Sequence, residues 1–230
     1  KACENFQMDT AYQTRGGTLL TNWRTKKATE TARKTGWRGL NAGTRDITSA
    51  VKRITKMILH PPNLSYLPFQ EDGINWMKDK STVLLGDEMR IGKTIQAIGW
   101  INANPEIENA LIVCPATLCI NWRRELDKWL VSPFVDSLVV SYDMLHKLDF
   151  DLVRDVVIWD EAHYLKSKSS KRSLLSRQIK AKNRLLLSGT FLLNRPLELW
   201  SPLHIADPVA WPSSSHQKYT VRYCNAHQGK

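Results

Sequence analysis

Five short aliphatic runs restrict the fold of this chain more than any other feature. They are Thr82–Leu85, Ala110–Cys114, Leu138–Ser141, Val156–Trp159 and Leu185–Ser188, each four or five residues long and rich in Val, Ile or Leu. A run without polar alternation offers no face to water, so it suits a strand covered on both sides, as in a parallel sheet. Between the runs lie amphipathic stretches at helical spacing, Ile95–Ile101, Ile120–Leu130 and Lys171–Ile179. Strands alternating with helices predict an α/β sandwich built on a parallel sheet.

The first part of the chain has another texture. Residues 1–66 are poor in aliphatic runs and hold 12 Lys/Arg against 4 Asp/Glu, while the remainder is nearly balanced at 21 against 18. Helices are expected around Lys26–Lys34 and Asp46–Met57, and the proline-rich "HPPNLSYLP" at 60–68 reads as a linker. The organisation expected is a basic N-terminal region over 1–66, an α/β domain over 67–206 and a short extension over 207–230. The net charge of +11 favours a polyanionic partner, nucleic acid before anionic membrane. No apolar run approaches the ~20 residues that span a bilayer, and the start has no signal-peptide pattern. The chain does not begin with Met, as expected of a fragment or processed piece. Cys114 and Cys119, two of four cysteines, have no zinc-spaced partners and are expected as reduced, partly buried thiols of a cytosolic protein.

Three stretches carry chemistry. "GDEMRIGKT", 86–94, follows the first apolar run and opens the first helical stretch, the setting in which backbone N–H groups converge on an anion. Met89, Arg90, Ile91 and Gly92 would wrap a triphosphate, Lys93 would reach its β- and γ-phosphates, and Thr94 would ligate Mg²⁺. The strict GxxxxGK[ST] spacing is not met, because Asp87 stands where the first glycine belongs. "VVIWDEAH", 156–163, ends a buried run in adjacent carboxylates at the edge where open α/β sheets bind ligands. Asp160 would hold Mg²⁺, and Glu161 would orient or deprotonate the attacking water. "LLLSGT", 185–190, closes another run with hydroxyls around a glycine, a weak signal alone.

In this order the stretches resemble the motifs of a superfamily-two helicase core, and of its Swi/Snf-type branch in particular. "LPFQEDGINWM", 67–77, resembles the entry motif, which implies that Gln70 recognises adenine. An Asp-Glu-Met opening is usual in motif I of that branch, which explains the failed strict spacing. "LIVCPATLCINWRREL", 111–126, resembles motif Ia and "VVSYDML", 139–145, the Ser-Tyr motif after it, implying DNA-backbone contacts at Pro115, Ala116, Thr117 and Ser141. Motif II is matched by "DEAHYLKSKSSKRS" from 160 and motif III by "LLLSGTFLLNRPLELW" from 185, and the details are closest to annealing-helicase-like members and their bacterial and phage relatives. The resemblance implies a RecA-like P-loop lobe that uses ATP and Mg²⁺. It implies double-stranded DNA as partner, with His163, Ser188, Gly189 and Thr190 coupling the ATP site to neighbouring motifs.

The family completes its ATP site with arginines from a second RecA-like lobe, and nothing after Trp200 resembles that lobe. A missing arginine finger costs ~10³–10⁵ in rate, so weak hydrolysis by this chain alone is expected, with the second lobe in a longer chain or in trans. The expected location is the cytoplasm (bacterial nucleoid, or the host's if phage-encoded), or the nucleus in a eukaryote. The alternative is a truncated lobe serving as a DNA-binding or partner-docking module. The family's usual glycine is replaced by Arg90 and its usual proline by Phe191; a negative φ is expected at Arg90, with the guanidinium at the cleft mouth. The acid-free run from Lys166 through Lys168, Lys171, Arg172, Arg177, Lys180 and Lys182 to Arg184 is open to two readings, phosphate contact or a solvated helix face. Trp76, Trp100, Trp122, Trp129, Trp159 and Trp200 are expected in the core, leaving Trp23 and Trp37 as candidates for nucleic-acid contact.

Overall fold

A computed structural model describes residues 58–191 and 195–225. The helices expected at 26–34 and 46–57, with Trp23 and Trp37, lie outside the described residues. Each of the five apolar runs is a strand: β1 (Thr82–Leu85), β2 (Asn109–Cys114), β3 (Asp136–Ser141), β4 (Arg154–Asp160) and β5 (Ala181–Leu187). All pairings are parallel, in the order β1-β5-β4-β2-β3. Helices α1 (Pro68–Met77), α2 (Lys93–Ala103), α3 (Cys119–Trp129), α4 (Lys171–Gln178), α5 (Trp200–Ala206) and α6 (His216–Cys224) complete the described elements, with short 3₁₀ turns between them.

The core has two parts, as a sheet covered on both faces requires. Val83, Leu85, Ala110, Ile112, Val156, Ile158, Leu185 and Leu187 pack with α2 and α3 through Ile98, Trp100, Trp122 and Leu126. The alternate residues Leu111, Val113, Val157, Trp159 and Leu186 pack with Leu165, Ile179 and Ile205. β4 is buried along its whole length, which is why its sequence shows no alternation. No described helix is long and apolar enough to cross a membrane.

Two expectations change here. Trp76 is 56% exposed, with the Lys80 ammonium over its ring, whereas Trp100, Trp122, Trp129, Trp159 and Trp200 are buried. The buried stripe of α1 runs through Gln70, Ile74 and Met77, and Trp76 falls off it. The proline-rich stretch is not helical, but it is docked. Tyr66 stacks on Trp129 with ring centroids 5.2 Å apart and accepts a hydrogen bond from Asn102 Nδ2 at 3.0 Å.

Asp155, near the amino end of β4, ties the sheet together. Its Oδ2 accepts from the backbone N–H groups of Glu108 and Asn109, both at 3.0 Å, and its Oδ1 from Lys182 Nζ at 2.7 Å. Burial raises the pKa of this carboxyl, but the hydrogen bonds from Lys182, Glu108 and Asn109 outweigh it and leave the pKa below its ordinary value.

Candidate active site

The register of three neighbouring strands ends them level. Leu85 of β1 pairs with Leu187 of β5, and Leu187 pairs with Asp160 of β4. The chain leaves these strands as the loop 86–92, the Asp160-Glu161 turn and Ser188-Gly189-Thr190. Stretches far apart in sequence therefore meet at one edge of the sheet, the carboxyl edge where open α/β sheets bind ligands.

The loop must turn from β1 into α2 within seven residues, and it does so with left-handed backbone at Arg90 (φ 69°) and Gly92 (φ 83°). The negative φ expected at Arg90 is thus corrected. Loop closure, not the preference of arginine, sets the conformation, and a non-glycine residue there costs about 1–2 kcal/mol. Met89 and Arg90 are exposed, while Ile91, Gly92, Lys93 and Thr94 are half-buried. Lys93 Nζ folds back to donate to the carbonyls of Asp87 (2.9 Å) and Glu88 (2.8 Å).

Two glutamines brace this loop. Gln70 Nε2 donates to Ile91 O at 3.2 Å, and its Oε1 accepts from Leu67 N at 3.1 Å. Gln96, fully buried on α2, donates from Nε2 to Asp87 Oδ2 at 2.9 Å, and its Oε1 has no hydrogen-bond partner. Sequence reading missed Gln96; the available signal was an amide in the middle of the apolar stretch "TIQAIGW".

Asp160 is buried at the end of β4. Its Oδ2 accepts from Trp122 Nε1 at 2.7 Å and its Oδ1 from Glu161 N at 2.9 Å, while its carbonyl accepts from the buried Tyr142 hydroxyl at 2.8 Å. Burial raises the Asp160 pKa, the adjacent Glu161 charge adds to the rise, and the Trp122 bond and Lys93 oppose it. Trp122 was read as core packing alone, and its role as donor to Asp160 has no signature in the sequence. Glu161 itself takes left-handed backbone, φ 50° and ψ 50°.

Around His163 the expected coupling residues come together. His163 Nδ1 lies 3.0 Å from Glu161 Oε2 and 3.3 Å from both Ser188 Oγ and Thr190 Oγ1. Gly189 is the point where this cluster touches the phosphate loop: a methyl group there would lie 3.0 Å from Met89 Cγ and 3.5 Å from Asp87 O. Phe191, in place of the family's proline, packs beside Gly86, 3.6 Å from where a Cβ would stand.

The candidate nucleic-acid residues divide. Ala116 and Thr117 are exposed and Pro115 half-buried in the turn after β2. Ser141 is buried at the end of β3. The basic run is only partly free. Arg184 donates to the carbonyls of Ile205 and Ile179, and Arg177 to Ser201 Oγ. Lys180 pairs with Asp151, Lys182 with Asp155 and Lys166 with Glu198. Lys168 and Lys171 are exposed, and Arg172 lies over the Tyr164 ring, 5.1 Å from its centroid.

Comparison with known proteins supports the same reading. A family model described as "SNF2-related domain" matches residues 69–147 and 136–225. Among curated proteins, the chain is 34% identical to "DNA annealing helicase and endonuclease ZRANB3" of Bos taurus, over 70% of this chain and 17% of that protein. It is 31% identical to "SWI/SNF-related matrix-associated actin-dependent regulator of chromatin subfamily A-like protein 1" of Xenopus laevis, over 70% of this chain and 19% of that one. The chain thus spans under a fifth of the length of these relatives. Among solved structures, "Sulfolobus solfataricus SWI2/SNF2 ATPase core in complex with dsDNA" matches with a TM-score of 0.64 at 23% identity, over 74% of this chain and 41% of that chain.

Proposed function

The chain belongs to the SNF2-related family, and on that premise we propose that residues 67–206 are the ATP-binding half of a DNA-dependent ATPase that moves along or remodels duplex DNA. The observation that carries this reading is the level ending of β1, β5 and β4, which gathers Lys93, Asp160, Glu161, His163, Ser188 and Thr190 at one edge. Gln70 binds the adenine edge, the loop Met89–Gly92 and Lys93 hold the phosphates, and Glu161 positions the attacking water. To reach a phosphate, Lys93 exchanges the carbonyls of Asp87 and Glu88 for phosphate oxygens, so nucleotide binding rearranges the loop. His163, Ser188 and Thr190 report the state of Glu161 to the strand next door. Ala116, Thr117, Lys166 and Arg172 contact the DNA backbone without reading its bases.

A divalent cation fits the residues present. Thr94 and Asp160 offer only oxygen donors, which suits Mg²⁺, and the Asp160 carboxylate is buried without a full counter-charge. Once bound, the cation would neutralise charge on the β- and γ-phosphates. A second RecA-like lobe, in the same longer protein or in trans, would supply the arginines that make turnover fast. The site of action is then wherever the organism keeps its DNA, the bacterial nucleoid or the eukaryotic nucleus.

ATP hydrolysis measured with and without double-stranded DNA, for the parent and for Lys93→Ala, tests the reading. Slow parental turnover that DNA stimulates and Lys93→Ala abolishes is expected. No turnover in either leaves a non-hydrolysing DNA-binding module. Duplex affinity should fall steeply from low to moderate salt, and a flat salt response would remove the backbone-contact role.

A further inference from the structure

Cys114 and Cys119 are free thiols whose sulfurs lie 3.5 Å apart across the turn from β2 into α3. Cys114 is the buried last residue of β2, and Cys119, half-buried, is the first residue of α3. No group of three or more metal-ligating side chains occurs among the described residues, so the pair is not part of such a cluster. We propose that Cys114 and Cys119 are an oxidisable dithiol, a modification site for a small-molecule disulfide, set between the nucleotide site and the candidate DNA-contact turn.

A disulfide needs the sulfurs about 2.05 Å apart, so each must move by well under an ångström. Cys119 is the accessible sulfur, and its thiolate attacks first, displacing one thiolate from the reagent to give a mixed disulfide. Burial, then the hydrogen bond with Cys119, push the Cys114 thiol well above its ordinary pKa, which keeps it protonated and leaves the first attack to Cys119. In the second step Cys114 gives up its proton, its thiolate attacks the Cys119 sulfur, the small thiolate leaves and takes up a proton, and the ring closes. The protein loses two hydrogens, and the reagent becomes two thiols.

The ring would enclose residues 115–118, among them Ala116 and Thr117, proposed above to touch the DNA backbone. It would also pull on the first turn of α3, and Trp122, one turn along, holds Asp160 Oδ2 at 2.7 Å. The dithiol is proposed from the sulfur geometry; its effect on nucleotide rests on the function proposed above.

The test treats the intact chain with oxidised glutathione, alkylates free thiols and maps the peptides. One tryptic peptide, 94–123, carries both cysteines. It should lose two hydrogens and resist alkylation, reversibly with dithiothreitol, and Cys119→Ser should not. Alkylation of both thiols after oxidation, or glutathione remaining on Cys119, overturns the site. Mg-ATP affinity of the oxidised parent should fall about fivefold or more and return on reduction, while Cys119→Ser should bind alike under both conditions. A mapped disulfide with unchanged affinity overturns the coupling. Absent Mg-ATP binding in reduced parent and Cys119→Ser alike would count against the proposed function and leave the mapped dithiol standing.

Discussion

Two aspartates five residues apart on one buried strand have opposite fates. Asp155, at the amino end of β4, has a lysine and two backbone N–H groups as partners, and its pKa is depressed. Asp160, at the carboxyl end, has one indole and one backbone N–H, and its pKa is raised. The difference lies in what surrounds each charge: at one end the protein satisfies the carboxylate itself, and at the other it leaves the charge for something else to neutralise. On the function proposed above, the carboxylate satisfied by the protein is structural and the one left with fewer partners is the cation ligand.

Removing the charge at each end should therefore do different things. Asp160→Asn should lower DNA-stimulated hydrolysis at least ~10²-fold, while its amide leaves one of the two N–H donors on Asp160 without an acceptor and costs about 1–2 kcal/mol of stability. Because folding raises the Asp160 pKa, the folded state holds this proton more tightly. Stability then drops as pH rises from the ordinary ~3.9 through the raised value, and Asp160→Asn should lose that drop. Asp155→Ala should cost about 1–2 kcal/mol in urea unfolding, because two part-buried backbone N–H groups lose their acceptor, while turnover per folded molecule is kept. Here the depressed pKa places the loss on the acid side: the stabilisation is present above the unfolded pKa and disappears as pH falls through the folded one. Asp155→Asn should flatten that limb.

Smaller changes sharpen the contrast. Trp122→Phe leaves Asp160 Oδ2 without its donor and should cost about 1–2 kcal/mol, raise the Asp160 pKa further and weaken Mg-ATP binding. Arg90→Gly should stabilise by about 0.5–1 kcal/mol, since relief of the left-handed strain exceeds the added chain entropy of glycine. An unchanged melting temperature for Arg90→Gly would show that the loop bears no strain.

Much of this was legible in the sequence. The strands were readable because burial on both faces leaves uninterrupted apolar runs. Their ends were less so. Ala181–Arg184 belong to β5 through pairing with β4, not through an apolar pattern of their own. The motif residues Lys93, Asp160, His163 and Ser188 were readable because their spacing relative to strand ends is a local property. Gln96 acquires its role when the loop 86–92 folds back onto its own helix, and Trp122 only when α3 packs against the sheet. Arg90 misled because closing the loop imposes its φ, although the family's usual glycine at that position pointed to it. Within the basic run, Arg177 and Arg184 find hydroxyl and carbonyl partners on elements remote in sequence, which no local pattern announces.

The most direct test is the affinity of the intact chain for Mg-ATP, measured by titration calorimetry for the parent and for Lys93→Ala. The parent should bind one equivalent, and Lys93→Ala should bind about tenfold or more weakly, with unchanged folding by circular dichroism. Equal affinity in the two proteins would contradict the placement of the phosphates on this loop.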